Sequence, residues 1–170
     1  MPLSAGPGYN ADVKPTVYIE TTIPSYYCDD RSEVMNDILR TRQWWDEERE
    51  DYECAISPVV VEELDGGDYP TREDCLRLVE LLPLLEVTPE ILEVAAVYQA
   101  EHLMPRHPVA DSIHLAIASW YRTDYLLTWN CRHLANANKT RHLEALNLRL
   151  RLGLPMLVTP HQLQRWEEMP

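Results

Sequence analysis

Short apolar runs alternate along the chain with longer segments whose apolar residues recur at helical spacing. The short runs are rich in β-branched and aromatic residues, which is typical of strands. They predict strands at 16–20, 53–57, 84–88, 124–128 and 156–159. The longer segments predict helices at 33–50, 58–65, 71–82, 89–104, 109–122 and 138–151. This alternation predicts an α/β fold with a mainly parallel central sheet, arranged as a three-layer α/β/α sandwich.

Local signals set several of the expected boundaries. Pro24 ends the first strand and turns the chain away, because proline cannot donate to a strand ladder. Ser57 before Pro58 predicts a helix start capped by the serine hydroxyl. Gly66 predicts a left-handed stop for the same helix, and Pro160 predicts the start of a short terminal helix.

Length and composition predict one folded domain. A chain of 170 residues with 45% hydrophobic and 25% charged residues has a globular composition. We place the domain at 16–166, after a flexible tail at 1–15. No apolar run reaches the roughly 18 residues that cross a bilayer. The N-terminal segment lacks the pattern of a secretory signal, so we expect a cytoplasmic protein that does not enter the membrane.

Charge is distributed unevenly along the chain. The net charge of −13 argues against binding to nucleic acid through charge alone. The acidic run at 46–53 predicts a solvated helix face. In contrast, the stretch at 131–153 is basic and is a candidate for contact with phosphate or with an acidic partner. The cysteines show no metal-ligand spacing, so we expect all of them to be free.

Four oxygen-bearing side chains stand against the apolar runs: Glu20, Glu63, Asp111 and Asn130. A carboxylate next to a buried run is costly unless a cation or hydrogen bonds compensate it. Glu20 and Asn130 follow predicted strands, and sites in open α/β sheets form outside the carboxyl ends of the strands. A shared divalent cation would account for all four positions, because hard cations take oxygen ligands.

Four sequence strings carry a resemblance to a known family. VYIETT, ISPVVVEEL, ADSIHLAIA and LLTWNCRHL occur in this order between residues 16 and 160. Together they resemble the PIN-domain ribonucleases and, more narrowly, the VapC-type toxins. The resemblance implies a PIN-like domain that binds Mg²⁺ or Mn²⁺ and cleaves RNA. It also implies a toxin of a type II toxin–antitoxin pair, with a cognate antitoxin as a partner and a homodimer as the assembly.

The resemblance assigns the catalytic and metal-binding positions. Glu20 takes the place of the family's first acid, which is usually aspartate. Glu63 and Asp111 match the helical acids, and Asn130 takes the fourth position. His133 stands where some relatives carry another acid. Glu20 is one methylene longer than aspartate and Asn130 is neutral, so we expect weaker metal affinity.

Each of these positions also has a purely structural interpretation. Asp111 at a helix start can favour the helix dipole, and Asn130 can serve a turn. Glu62 is a rival for the role of Glu63, and we favour Glu63 because it directly precedes the leucine of the pattern. His114 is expected to be a core histidine that is hydrogen-bonded to backbone.

Aromatic residues offer candidate contacts outside this set. Ser25, Tyr26 and Tyr27 follow the first acid, where they can contact RNA or pack against the next helix. The Trp44–Trp45 pair lies beside the acidic run and is a candidate for an exposed interface, although such pairs more often fill the core.

The leading hypothesis is a metal-dependent endoribonuclease. The alternative is a catalytically weak or inactive module of the same fold that binds RNA or a protein, and it draws on Glu20, Asn130 and the net charge of −13. A phosphatase-type hydrolase is set aside, since such enzymes need a pair of acids at the first strand and VYIETT has one.

Overall fold

The computed structural model describes residues 13–164 of the chain. Within this range four strands form a single sheet. They are β1 (Thr16–Ile19), β2 (Glu53–Ala55), β3 (Tyr125–Leu127) and β4 (Met156–Val158). The strand order is β2-β1-β3-β4 and every neighbouring pair is parallel. The predicted α/β fold with a parallel sheet is confirmed.

β1 lies inside the sheet and is covered on both faces. Tyr18 is in register with Ala55 of β2 on one side and with Leu126 of β3 on the other. Val17, Tyr18 and Ile19 are all buried. Because both faces of an inner parallel strand are buried, its sequence is a continuous apolar run and not an alternation of apolar and polar residues.

Seven α-helices connect the strands over the same residues. They are α1 (Thr22–Tyr27), α2 (Met35–Gln43), α3 (Pro58–Asp65), α4 (Arg72–Val79), α5 (Pro89–Ala100), α6 (Val109–Trp120) and α7 (Thr140–Leu150). α6 is the most apolar helix and is buried along most of its length, as its composition predicts. It packs against α5. The first turn of α6 is therefore held firmly in the core, which fixes the position of Asp111.

The strand predicted at 84–88 does not form. Leu84 makes only an isolated parallel bridge with Ile56 at the edge of the sheet. Two backbone hydrogen bonds hold it, from Ile56 N to Pro83 O (3.0 Å) and from Leu85 N to Ile56 O (2.8 Å). Pro83 has no N–H to extend this pairing, and Pro89 already begins α5. The segment 84–88 lies between Pro83 and Pro89 and is too short to form a strand.

The chain does not simply turn away at Pro24, as the sequence suggested. Residues 22–27 form the short helix α1, with Pro24 in its first turn. The first N–H groups of a helix have no partner within it, so a proline there removes nothing. Helix α1 therefore starts directly beside Glu20.

The helix predicted at 33–50 is broken into several parts. α2 is followed by a π-helical turn, Trp44–Glu48, and by a 3₁₀ turn, Arg49–Asp51. The Trp44 and Trp45 side chains lie in the core, with exposures of 0% and 7%. Of the two alternatives for the tryptophan pair, the core position is confirmed and the exposed interface is wrong.

The acidic run at 46–53 is not wholly a solvated face. The Glu48 carboxylate is buried and accepts hydrogen bonds from Arg40 Nη1 (2.6 Å) and Nη2 (3.0 Å). Asp46 accepts a hydrogen bond from the Tyr27 hydroxyl at 2.9 Å. Hydrogen bonds from Arg40 and Tyr27 therefore hold the turn after α2 in place through Glu48 and Asp46. Glu47 and Glu50 are exposed.

The two ends of α3 differ from the predicted caps. Ser57 precedes α3 as expected, but its hydroxyl makes no cap and instead contacts the Tyr18 hydroxyl. Gly66 ends α3 with φ −74°, which is a right-handed and not a left-handed conformation. Its N–H simply continues the helical ladder to Glu62 O. A left-handed end occurs at α7 instead, where Arg151 has φ 58°.

Three of the sequence predictions concern segments that extend past the described residues. The tail predicted at 1–15 lies outside them except for residues 13–15, and the domain end at 166 also lies outside. After Pro160 the described part is a turn, and the rest of the predicted terminal helix falls beyond it.

The cysteines are free, as predicted. No helix within residues 13–164 is long and apolar enough to cross a membrane.

Candidate functional site

The four predicted residues gather around the carboxyl ends of β1 and β3. Glu20 directly follows β1, and Asn130 lies three residues after β3. The connection leaving β1 runs to β2 on one side, whereas β3 and β4 lie on the other side. β1 and β3 therefore flank the point where the strand order reverses, which is where open α/β sheets place their sites.

Glu20 is buried and held through one of its two carboxylate oxygens. Its Oε2 accepts hydrogen bonds from Thr22 N (3.0 Å), Thr22 Oγ1 (2.5 Å) and Thr128 Oγ1 (2.8 Å). No donor among residues 13–164 reaches Oε1. The carboxylate is thus fixed by three donors, while its second oxygen keeps its capacity to bind a ligand.

The two threonines that hold Glu20 also shape the backbone beyond β3. The Thr22 hydroxyl accepts a hydrogen bond from Trp129 N at 2.8 Å, and the Thr128 hydroxyl accepts one from Asn130 N at 2.9 Å. Each hydroxyl therefore donates to Glu20 and accepts from the turn after β3. This arrangement ties the first acid to the segment that carries Asn130.

Glu63 is held in the same one-sided way. Its Oε2 contacts the Thr21 hydroxyl and His114 Nε2, the latter at 2.7 Å, and no donor among the described residues reaches Oε1. Burial acts to raise the pKa of Glu63, but the contacts with His114 and Thr21 outweigh it and hold the pKa below its ordinary value. The Glu62 carboxylate has no hydrogen-bond or ion-pair partner within the described chain. Of the two candidates it is Glu63 that lies in the cluster.

His114 connects Glu63 to a buried chain of hydroxyl groups. The imidazole is completely buried, and its Nδ1 lies 2.7 Å from the Tyr18 hydroxyl. Tyr18 in turn lies 2.7 Å from Ser57 Oγ. Burial raises the pKa of Tyr18 well above its ordinary value, so the phenol stays protonated. His114 is a core histidine as predicted, but its partners are side chains rather than backbone.

Glu20, Glu63 and His114 together could hold a metal ion. One ligand atom from each lies within 4.8 Å of the others. Both glutamates keep one carboxylate oxygen that no described donor uses. A set of two carboxylates and one imidazole suits a divalent cation, so the residues present fit the implied Mg²⁺ or Mn²⁺.

Asp111 and Asn130 form a second group with His133. Asn130 Nδ2 donates to Asp111 Oδ1 at 2.9 Å, and His133 Nδ1 lies 2.6 Å from Asp111 Oδ2. The Asn130 carbonyl oxygen accepts from His133 N at 3.0 Å. Asn130 is therefore a hydrogen-bond donor to Asp111 here, and a role as metal ligand would rest on the remaining capacity of its carbonyl oxygen.

The two groups are joined through Thr128. Its hydroxyl binds Glu20 on one side and Asn130 N on the other, and Asn130 then reaches Asp111. The structure thus brings all four predicted residues into one hydrogen-bonded network. Asp111 is not a member of the three-residue group that can share an ion.

Lys139 supplies a positive charge beside the second group. Its Nζ donates to His133 O at 2.9 Å. Burial lowers the pKa of the Lys139 ammonium, and the nearby Asp111 carboxylate opposes that shift. The sequence placed Lys139 only within a basic stretch, so its position next to Asp111 comes from the fold.

The sequence did not show which of the site residues contact each other, because the contacts are not local. Tyr18 and His114 are separated by 96 residues, and Thr22 and Trp129 by 107. The threonines after Glu20 were the one visible signal, because hydroxyls next to a buried acid indicate hydrogen-bond support. Thr128 has the same position after β3 and could have been found by that rule.

Comparison with known proteins adds no family assignment to this geometry. No protein-family model matches the chain, and no curated protein is similar enough to be matched.

Proposed function

We propose that the protein is a metal-dependent endoribonuclease of the PIN type, which hydrolyses RNA phosphodiester bonds. The observation that carries the proposal is the pair of glutamates at the carboxyl ends of β1 and α3. Glu20 and Glu63 are each fixed through Oε2 and keep Oε1 free of described donors. Two rigid carboxylates with unused oxygens at a strand-order reversal are the features of a divalent-cation site.

The strand order supports the finer fold assignment. From β1 the chain moves to β2, then crosses back past β1 to β3 and on to β4. Crossovers between parallel strands are right-handed in nearly all proteins. The connection from β1 to β2 and the later connections to β3 and β4 run in opposite directions along the sheet, so right-handed crossovers place them on opposite faces. This supports the three-layer sandwich of a PIN-like domain that we propose for residues 16–166.

Glu20 and Glu63 would hold the cation through their unused oxygens. His114 would complete the donor set by exchanging its hydrogen bond to Glu63 Oε2 for the ion, because Nε2 makes that contact and Nδ1 lies at the Tyr18 hydroxyl. When bound, Mg²⁺ or Mn²⁺ activates water and neutralises charge on the phosphate. The imidazole in the donor set favours Mn²⁺ over Mg²⁺, because nitrogen ligands suit transition metals better. The Tyr18 hydroxyl at Nδ1 fixes the orientation of the His114 ring.

Asp111, with Asn130 and His133, lies on the other side of Thr128. Both Asp111 oxygens are oriented by hydrogen bonds, so the carboxylate is held in one geometry. Lys139 adds a cation beside it, which favours binding of a phosphate in an otherwise acidic protein. We propose that this half of the site positions the phosphodiester.

The biological setting follows from the resemblance of the four sequence strings. We propose a toxin of a type II toxin–antitoxin pair that acts in the cytoplasm, forms a homodimer and is held by a cognate antitoxin. The four strings at the ends of β1, β2 and β3 and the start of α6 support this proposal, because each lies at the candidate site.

The test is RNA cleavage by the purified protein with Mg²⁺, with Mn²⁺ and with chelator. Asp111→Asn is expected to reduce cleavage by about 10- to 100-fold, because it removes charge from a hydrogen-bonded group of the site. The matched control is Glu62→Gln, which changes an exposed carboxylate that has no described partner. Activity that is indifferent to metal and to Asp111→Asn would refute the nuclease assignment.

A second candidate function is a binding module without cleavage. It is favoured by the Asp111 contacts, since both carboxylate oxygens are already used by Asn130 and His133. Such a module would bind Mn²⁺ weakly and would still bind RNA or a protein partner after Glu63→Gln. A nuclease would lose metal-dependent cleavage with that change.

A further inference from the structure

Tyr26 and Trp129 form a ring stack next to the candidate site. Their ring centroids lie 5.4 Å apart with an angle of 21° between the planes. His161 meets Trp129 edge-on at 5.3 Å and 80°. We refer to Tyr26, Trp129 and His161 as the aromatic platform.

Trp129 packs against the core, but packing of the core does not explain the position of Tyr26. Tyr27 is the adjacent residue, and it packs against the core, contacts the Trp45 ring and donates to Asp46. Tyr26 is not among the residues packed on the core. Within the described chain its hydroxyl has no hydrogen-bond partner, and Trp129 is its one ring contact. Tyr26 is thus a half-buried ring whose one described ring contact is the stack on Trp129.

Trp129 is a rigid support for that ring. Its Nε1 donates to Thr41 Oγ1 at 2.8 Å, and its backbone N donates to Thr22 Oγ1 at 2.8 Å. His161, at the other side, is held by Asp37 at 2.9 Å. A tryptophan that is fixed through its indole N–H, its backbone N–H and a ring contact presents a flat surface at little entropic cost on binding.

The platform lies directly beside the residues that surround Glu20. Trp129 is placed between Thr128, which donates to Glu20, and Asn130, which donates to Asp111. Tyr26 lies on α1, the helix that begins next to Glu20. A nucleotide whose base stacked on Tyr26 would therefore be a close neighbour of a phosphate bound at the site.

We propose that the aromatic platform binds an unpaired nucleobase of single-stranded RNA by stacking on the face of Tyr26 opposite Trp129. This inference rests on the proposed nuclease function and names the form of the substrate: an unpaired strand with at least one base splayed out beside the bound phosphate. Aromatic side chains are the usual means of holding such bases, and they accept any base because every base has a π-face.

The charges around the platform favour stacking over phosphate contact. Asp37 and Asp29 lie near Tyr26. The nearby Arg31 is paired with Asp29 at 2.5 Å, and Arg42 donates to the carbonyls of Tyr27 and Asp29. Burial and the Asp37 carboxylate raise the pKa of Tyr26, so its ring stays neutral. Negative charge from Asp29 and Asp37 disfavours binding of a phosphate at the platform but does not disfavour stacking of a neutral base.

The experiment measures binding of a fluorescent single-stranded RNA oligonucleotide without divalent metal, so that binding is independent of cleavage. Tyr26→Leu is expected to weaken binding by about 5- to 150-fold, the range found when one base loses its aromatic partner. Tyr26→Phe is the matched control and should keep wild-type affinity, since it retains the ring. Thermal unfolding of both variants checks that the fold is kept.

Salt dependence separates stacking from phosphate binding. Tyr26→Leu should leave the slope of log affinity against log salt unchanged, whereas a lysine that binds phosphate reduces the slope by about 1 when it is replaced. Lys139→Met supplies that comparison.

Each outcome decides the inference separately from the nuclease assignment. The platform is supported if Tyr26→Leu weakens RNA binding and Tyr26→Phe does not. It also requires that an abasic position in the oligonucleotide abolish the difference in affinity between these two variants. It is overturned if the leucine and phenylalanine variants bind equally, even when metal-dependent cleavage is present. It is also overturned if the wild-type protein binds no single-stranded RNA.

Discussion

Replacing Glu20 with glutamine is expected to lower metal-dependent RNA cleavage by about 100-fold or more, since loss of even an outer partner of a metal ligand costs about 10- to 100-fold. Glutamine has the shape of glutamate, and its carbonyl oxygen can accept the hydrogen bonds that Thr22 and Thr128 now give to Oε2. The NH₂ group then occupies the place of Oε1. The fold is kept, but a donor faces the cation instead of a carboxylate oxygen.

The measurement is the initial rate of oligonucleotide cleavage over a range of Mn²⁺ concentrations, together with thermal unfolding of each variant. Glu53→Gln is the control, because Glu53 is an exposed glutamate at the far end of the neighbouring strand β2. It should cleave as the wild type does. Equal rates for Glu20→Gln and Glu53→Gln would show that Glu20 takes no part in the reaction.

The largest expected effect on stability comes from Arg40. Its side chain is 9% exposed and forms two hydrogen bonds with Glu48, which is equally buried. Its Nε and Nη2 also donate to the carbonyls of Pro160 (2.8 Å) and Leu163 (3.1 Å). Arg40→Met is therefore expected to lower the free energy of unfolding by about 3–5 kcal/mol, because it removes the guanidinium that gives the buried Glu48 carboxylate two hydrogen bonds.

Urea unfolding followed by circular dichroism measures this difference. The control is Arg31→Met, which breaks an exposed pair with Asp29 and should cost at most about 1 kcal/mol. The double variant Arg40→Met/Glu48→Leu should recover much of the loss, since replacing both members of a buried pair by apolar residues is often neutral. Similar unfolding free energies for the two single variants would contradict this account of the α2 turn.

The sequence predicted the elements better than their connections. Four of the five predicted strands form. The inner strands β1 and β3 are buried, whereas the edge strands β2 and β4 are partly exposed. The segment at 84–88 failed because Pro83 and Pro89 leave it too little free backbone to pair. Helix α1 was overlooked because Pro24 was interpreted as a break, although proline is tolerated in a first helical turn.

The acids of the candidate site were also visible in the sequence, but their partners were not. Glu20, Glu63 and Asp111 stood out as charges beside apolar runs, and all of them lie at the site. The roles of His114 and Lys139 depend on contacts made across the fold, which no local pattern indicates. Burial of Trp44 and Trp45 likewise depends on tertiary packing, and charge on the neighbouring run gave a misleading signal.

Calorimetric titration with Mn²⁺ tests the central claim, that Glu20, Glu63 and His114 hold a divalent cation. The account predicts that the wild-type protein binds Mn²⁺, that Glu63→Gln weakens binding by about 10-fold or more, and that Glu62→Gln binds as the wild type does. Both variants replace one glutamate by glutamine, so they have the same charge and composition and differ only in which of two adjacent positions is changed. No binding by the wild type, or equal affinity in all three proteins, would contradict the claim.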